Sequence, residues 1–185
     1  TARDIVLGDE GSATFDSEAR LDVITSTNTD TGGNDTIETG GGPDVAFGGF
    51  ANDTIKTESG RDVVLGDNGT AQFDDHQAPV RVETIAPLDG GSDTLYAGPE
   101  HDFVFGGTDG DTISGGSEHD ILLGDHGLYD LTFPANQRFR SIFTYNEHAG
   151  GSDIIHGDEG DDIILGQQAA DVLEEMSPDD AADLI

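Results

Sequence analysis

The chain has 185 residues, and its 39 Asp and Glu against 7 Lys and Arg give a formal charge of −32, which excludes nucleic acid or an anionic membrane surface as a partner and points to cations. With 34% hydrophobic and 6% aromatic residues and 27 glycines, a conventional layered core would be thin and self-repulsion large, so folding is expected to depend on a bound cation. Cysteine is absent, which removes disulfides and thiolate metal sites and is compatible with an extracellular setting, and no apolar run is long enough to span a membrane.

In chain order the first feature is Arg3-Asp4-Ile5-Val6-Leu7-Gly8-Asp9, which recurs 58 residues later as Arg61 to Asp67 and again as His119 to Asp125. Within each 58-residue unit, aspartates fall nine residues apart: Asp35, Asp44, Asp53 and Asp62, then Asp93, Asp102, Asp111 and Asp120, then Asp153, Asp162 and Asp171. A nine-residue period with glycines before each Asp and apolar residues after it describes one half-turn of a solenoid that binds metal in its turns. The long steps from Asp4 to Asp35, Asp62 to Asp93 and Asp120 to Asp153 each carry an insertion, near residues 9–31, 67–89 and 125–149. Each insertion leaves through Gly-Asp-x-Gly and returns through Gly-Gly-x-Asp. The repeat is already running by residue 3 without a signal peptide or an initiator Met, so the chain reads as a segment of a longer protein.

The three residues after each register Asp read as a short strand, being mostly β-branched or aromatic and bounded by glycine. Their middle members, Val6, Ile37, Ala46, Ile55, Val64, Leu95, Val104, Ile113, Leu122, Ile155, Ile164 and Leu173, are expected to point inward as the core. The flanking members split into two alternating classes. One is polar, as in Thr36/Glu38 and Thr54/Lys56; the other is apolar, as in Val45/Phe47 and Phe103/Phe105. Alternate half-turns therefore predict two opposed parallel sheets, one of them with an apolar outer surface larger than soluble monomers usually expose. The insertions are the expected cover, with strands predicted at Ala13 to Phe15, Leu21 to Ile24, Ala71 to Phe73, Val80 to Ile85, Leu131 to Phe133 and Phe139 to Phe143. Phe133, Phe139, Phe143 and Tyr145 are expected to make the third insertion the best lid; the alternative is a docking surface for another chain. From Glu174 the register breaks, and Ser177-Pro178-Asp179-Asp180 reads as a helix start, so residues 1–173 are assigned to the solenoid and 174–185 to a helical cap or the start of a next domain.

The copies Gly48-Gly49-Phe50-Ala51-Asn52-Asp53, Gly106-Gly107-Thr108-Asp109-Gly110-Asp111, Gly115-Gly116-Ser117-Glu118-His119-Asp120 and Gly157-Asp158-Glu159-Gly160-Asp161-Asp162 resemble the RTX, or haemolysin-type, calcium-binding nonapeptide repeat family. The resemblance implies an all-β, right-handed parallel β-roll with Ca²⁺ between successive coils, held by the motif aspartates of neighbouring coils and by backbone carbonyls of the turns. One column then stacks Asp4, Asp44, Asp62, Asp102, Asp120 and Asp162, and the other Asp35, Asp53, Asp93, Asp111, Asp153 and Asp171. The turn members assigned to the sites are Gly40, Gly42, Gly49, Gly107, Gly116 and Gly160 with Asp109 and Asp158. Asp9, Asp67 and Asp125, at the roots of the insertions, either add ligands or shape the turn. Five gaps per column allow up to about ten ions, whose +20 against −32 leaves about −12, so filling and folding become one event. Turns that lose their glycines, Thr57 to Gly60, Ala97 to Glu100 and Gly166 to Ala170, place the sites beside Asp62, Asp102 and Asp171 in doubt.

No nucleophile, base and orienter stand out, so no catalysis is expected within the chain. His101 and His119, one coil apart, are read as exposed turn residues rather than a transition-metal pair, and the Thr36, Thr54, Thr94 and Thr112 column as β-propensity rather than an ice-binding face. The expected function is a calcium-binding structural module of a larger secreted or cell-surface bacterial protein, exported unfolded through a type I channel and monomeric as a segment. The alternatives are an adhesin or surface-layer module that holds a protein or cell-surface partner through its insertions, and an accessory C-terminal region of a secreted hydrolase or toxin.

Overall fold

The computed structural model describes residues 2–132, 141–145 and 149–175. Among these every regular element is a β-strand, and six strands fall in each 58-residue unit. The first unit holds β1 (Ile5–Leu7), β2 (Gly11–Phe15), β3 (Leu21–Ser26), β4 (Thr36–Glu38), β5 (Val45–Phe47) and β6 (Thr54–Lys56). The second holds β7 (Val63–Leu65), β8 (Gly69–Phe73), β9 (Pro79–Thr84), β10 (Thr94–Pro99), β11 (Phe103–Phe105) and β12 (Thr112–Ser117). The third holds β13 (Ile121–Leu123), β14 (Gly127–Asp130), β15 (Ser141–Thr144), β16 (Ile154–Glu159), β17 (Ile163–Leu165) and β18 (Val172–Glu175).

Outside the insertions the chain steps alternately between two parallel sheets, one ordered β1-β5-β7-β11-β13-β17 and the other β4-β6-β10-β12-β16-β18. Pairing is in register at each step, so Val6 lies opposite Ala46, Ala46 opposite Val64, and Leu95 opposite Ile113. Because successive side chains alternate faces, that register stacks the middle residues of both sheets in one interior. Ile37, Ala46, Ile55, Val64, Leu95, Val104, Ile113, Leu122, Ile155 and Ile164 form a single buried cluster, joined by Ala97 and flanked by Val6 and Leu173. Ten of the twelve residues expected to point inward thus form the cluster and the other two, Val6 and Leu173, pack against its ends.

The insertions build a third sheet. Their hairpins join edge to edge as the antiparallel order β2-β3-β8-β9-β14-β15, and Leu21, Ile24, Ala71, Phe73, Val82 and Tyr129 from this sheet pack against Val45, Phe47, Val63, Leu65, Phe103, Phe105 and Leu123 of the first parallel sheet. The apolar outer surface read from the sequence is thus covered by the chain itself. Each hairpin begins two residues after Asp9, Asp67 or Asp125 because Gly11, Gly69 and Gly127 lie against the last leucine of the preceding strand: a Cβ on Gly69 would meet Leu65 Cδ1 at 2.0 Å. Hydroxyls at the ends of the hairpins tie neighbours together, Ser26 Oγ accepting from Gly69 N at 3.1 Å and Thr84 Oγ1 from Gly127 N at 3.1 Å.

The third insertion differs from its expected form. Among the described residues its strands are β14 and β15: Leu131 and Thr132 follow β14 instead of forming a strand, Ser141 to Phe143 lie in β15 as expected, and Phe133 and Phe139 lie outside the described residues. Phe143 is 48% exposed, since the pleat that turns its neighbour Ile142 inward turns it outward. Tyr129 supplies the ring instead, tilted 57° against Phe103 with centroids 4.6 Å apart. Tyr145 contributes by donating its hydroxyl to the Thr84 carbonyl. At the end of the second sheet β18 continues past Leu173, with Glu174 opposite His156; backbone pairing does not require the side-chain pattern to persist. The predicted C-terminal helix lies outside the described residues.

Phe105, fully buried between the parallel sheet and its cover, is expected to cost about 3–5 kcal/mol on truncation to alanine. Phe15→Ala, on an edge strand with the ring 54% exposed, should stay within about 0.5 kcal/mol. Thermal unfolding of the Ca²⁺-loaded protein compares the two.

Candidate metal centre

The two predicted aspartate columns exist as two continuous ladders. In the first, the amide of each Asp donates to Oδ1 of the next: Asp4 to Asp44, Asp44 to Asp62 and Asp62 to Asp102 at 2.7 Å, Asp102 to Asp120 and Asp120 to Asp162 at 2.8 Å. In the second, Asp35 donates to Asp53 and Asp53 to Asp93 at 2.7 Å, Asp93 to Asp111 at 2.8 Å, Asp111 to Asp153 at 2.9 Å and Asp153 to Asp171 at 3.1 Å. The nine-residue spacing produces this directly, because it returns an Asp to the same corner of every coil just before a strand begins.

One carboxylate oxygen of each rung after Asp4 and Asp35 is therefore spent on the backbone. The other is not: Oδ2 of Asp44, Asp53, Asp62, Asp93, Asp102, Asp111, Asp120 and Asp153 is buried and accepts no hydrogen bond. Each such oxygen carries a desolvation penalty of about 1–3 kcal/mol, more when ionised. Beside them the turns are pared to glycine. A Cβ on Gly48, Gly66, Gly106 or Gly124 would meet Oδ2 of Asp53, Asp93, Asp111 or Asp153 at 2.2, 2.1, 2.2 and 2.0 Å.

The electrostatics state the same deficit. Burial, with the neighbouring carboxylates adding to it, pushes Asp93 and Asp102 up to about 9, Asp120 up to about 8, Asp53 and Asp153 up to about 7 and Asp62 up to about 6. Asp111 is raised well above the ordinary carboxylate range, by burial first and Asp93 next. Without a cation, ionising these groups inside the fold is costly; a divalent ion beside Oδ2 would offset that cost.

The turns share one backbone form. Positive φ recurs at the second and fourth motif positions: Gly40 and Gly42, Gly49 and Ala51, Glu58 and Gly60, Gly98 and Glu100, Gly107 and Asp109, Gly116 and Glu118, Asp158 and Gly160, Gln167 and Ala169. The predicted turn members Gly40, Gly42, Gly49, Gly107, Gly116, Gly160, Asp109 and Asp158 all sit at these positions. Asp158 has one oxygen engaged, accepting from Ser114 Oγ at 2.7 Å. The turns whose glycines are replaced keep the conformation, at about 1–2 kcal/mol per non-glycine residue. The signal that survives there is the spacing, since nine residues per step fix the turn whatever its side chains.

Asp9, Asp67 and Asp125 are placed at the insertion roots, where both oxygens take backbone donors. Asp67 accepts from Gly91 N at 2.9 Å and from Thr108 N; Asp125 from Gly151 N at 2.9 Å and Gln168 N at 2.6 Å; Asp9 from Gly33 N at 3.3 Å and Phe50 N at 2.7 Å. Each thereby clips the returning Gly-Gly and the next turn to the root, which is why a Cβ on Gly90 would meet Asp67 Oδ1 at 2.1 Å. Burial pushes Asp67 up to about 8 and Asp125 up to about 6. The next residue was not singled out by the sequence reading, yet Asn68 is buried with Nδ2 donating to the carbonyls of Thr29 at 3.2 Å and Asp89 at 2.9 Å. Its counterpart His126, fully buried, lies between the hydroxyls of Thr84 and Thr108. His101 and His119 stack with centroids 5.2 Å apart, and His119 Nδ1 accepts from Asp161 N at 2.8 Å, so the pair serves the turn backbone.

Among the described residues no three His, Asp or Glu side chains converge on a point. A cation here would be held by few carboxylates and completed by backbone oxygens, which suits Ca²⁺ with its six to eight hard oxygen ligands and glycine turns that let carbonyls approach.

A coiled pair of parallel sheets with an aspartate ladder at each edge defines a cation-binding repeat protein. The RTX calcium-binding nonapeptide repeat matches in four copies over residues 29–64, 89–125 and 149–174, more than half of the chain, and the chain belongs to that family. No curated protein and no solved structure matches it.

Proposed function

We propose that the chain is a structural module of a larger secreted or cell-surface bacterial protein, exported unfolded and folding as a right-handed β-roll when it meets Ca²⁺ outside the cell. The observation that carries this is the pair of ladders with buried, unpartnered Oδ2 atoms: a fold that encloses so many carboxylates is unfavourable where the cation is scarce and favourable where it is abundant. The residues assigned to the ions are the twelve ladder aspartates with the turn residues beside them, up to about ten ions in all, while Asp9, Asp67 and Asp125 act chiefly as clips. Bound Ca²⁺ would supply positive charge and coordination to carboxylate oxygens that are otherwise buried without a partner.

In this reading the module is a stiff, non-catalytic spacer. The covered apolar sheet supports a spacer over a module that docks a partner on that face. Small-angle scattering with sedimentation tests the proposal: Ca²⁺ should shrink the radius of gyration from roughly 46 Å toward about 20 Å or less while the chain stays monomeric. A size unchanged by Ca²⁺ would contradict it, and Ca²⁺-dependent association would favour the adhesin or surface-layer alternative.

A further inference from the structure

Asn68-Gly69 is the one Asn-Gly pair in the sequence. Glycine carries no side chain to obstruct its own amide nitrogen, so in an open chain that nitrogen can reach the side-chain carbonyl carbon of the asparagine before it. The fold holds the reacting atoms elsewhere. Asn68 is 1% exposed, and its Nδ2 donates to the carbonyls of Thr29 at 3.2 Å and Asp89 at 2.9 Å. Its own backbone carbonyl accepts from Ile85 N at 2.9 Å. Gly69 N, the nucleophile, donates to Ser26 Oγ at 3.1 Å. Ser26 and Thr29 belong to the first insertion and Ile85 and Asp89 to the second, so the full set exists only once the two hairpins have joined.

We propose that Asn68 is a deamidation site that the Ca²⁺-loaded fold closes and the metal-free chain opens. Hydroxide takes the Gly69 amide proton, the nitrogen attacks Asn68 Cγ, and the new N–Cγ bond forms as the Cγ–Nδ2 bond breaks, Nδ2 leaving as ammonia with a proton from water. Water then opens the succinimide at either carbonyl, leaving aspartate or isoaspartate; nothing is oxidised or reduced. The inference rests on the calcium-dependent folding proposed above, which is what leaves the chain open before it meets the ion.

The product does not suit the site. A carboxylate has no hydrogen to offer the Thr29 and Asp89 carbonyls, and it places a second charge beside Asp67, which is itself buried. Isoaspartate in addition lengthens the backbone by one carbon where Gly69 begins β8 against Leu65. Deamidation thus marks chains that have stayed unfolded and hinders their later folding.

The test holds the chain at pH 8 in EDTA, in EDTA with urea, and in Ca²⁺, and follows conversion at Asn68 by peptide mass mapping. The first two rates are expected to agree within about twofold and the third to be about tenfold slower or more, since reaction in the fold needs a local opening. Asn68→Asp should need about threefold more Ca²⁺ for half-folding, or more, by circular dichroism. Conversion in Ca²⁺ as fast as in urea, or an Asn68→Asp midpoint equal to that of wild type, would overturn the proposal. Slow conversion in EDTA against fast conversion in urea would instead place the failure in the calcium dependence of the fold, with the shielding of Asn68 intact.

Discussion

Asp111→Asn raises the Ca²⁺ concentration at half-folding by about tenfold or more, corresponding to about 1.4 kcal/mol, whereas Asp75→Asn changes it less than about twofold. Both substitutions remove one negative charge, so the contrast isolates position from charge. Asp111 is buried deep in a ladder; its Oδ1 accepts from Asp93 N at 2.8 Å and its Oδ2 has no partner. Asparagine keeps an acceptor for the Asp93 amide while losing the anionic oxygen that a cation would use. Asp75 lies on an insertion with its side chain 85% exposed, 3.4 Å from Arg20, where pairs contribute little. A second signature follows: without Ca²⁺ the Asp111→Asn chain should hold more β-structure than wild type at alkaline pH, because a buried repulsion has been removed. Equal shifts from the two variants would show that bulk charge governs folding.

In EDTA the chain is expected to be β-rich near pH 4 and to lose that structure progressively as the pH rises toward 9. A carboxyl group whose pKa in the fold lies above its unfolded value near 3.9 stabilises the fold fully below that value, and the contribution is lost as pH rises through the folded pKa. Here the window is set by Asp62 at about 6, Asp53 and Asp153 at about 7, Asp120 at about 8 and Asp93 and Asp102 at about 9. Burial is the largest cause in each. With Ca²⁺ present the sign reverses, since the cation competes with protons for the same oxygens, and the Ca²⁺ midpoint should fall as pH rises. Far-UV circular dichroism across pH, with and without Ca²⁺, reads both arms; a metal-free chain more ordered at pH 9 than at pH 5 would contradict the account.

The parallel coils were legible in the sequence because they obey two rigid periods. Nine residues per step fix the corner at which each Asp stands, and two residues per pleat fix which of Ile37, Ala46 and their counterparts face inward, so both ladders and the core could be written down by number. The insertions obey neither period. Their hairpins were placed to within a few residues in the first two, but the join between hairpins depends on Ser26 and Thr84 meeting glycines 43 residues further on, and no local pattern announces such a contact. Tyr129 was missed because β14 starts at Gly127 against Leu123, before the segment expected to be a strand, and Phe143 was over-read because the pleat of β15 turns Ile142, not Phe143, toward the core. The turns beside Asp62, Asp102 and Asp171 were doubted because glycine was taken as the signal for positive φ. Glu58, Glu100 and Gln167 adopt it regardless, held by the coils above and below.

The most direct measurement is a Ca²⁺ titration of the EDTA-stripped chain at pH 8 followed by far-UV circular dichroism, with Mg²⁺ as the control. The account predicts a cooperative coil-to-β transition with Ca²⁺ and none with Mg²⁺, whose octahedral demands and tightly held water suit an all-protein cage poorly. A β-rich spectrum already present in EDTA at that pH would mean that the ladders close without a cation, and the dependence of the fold on calcium would fail.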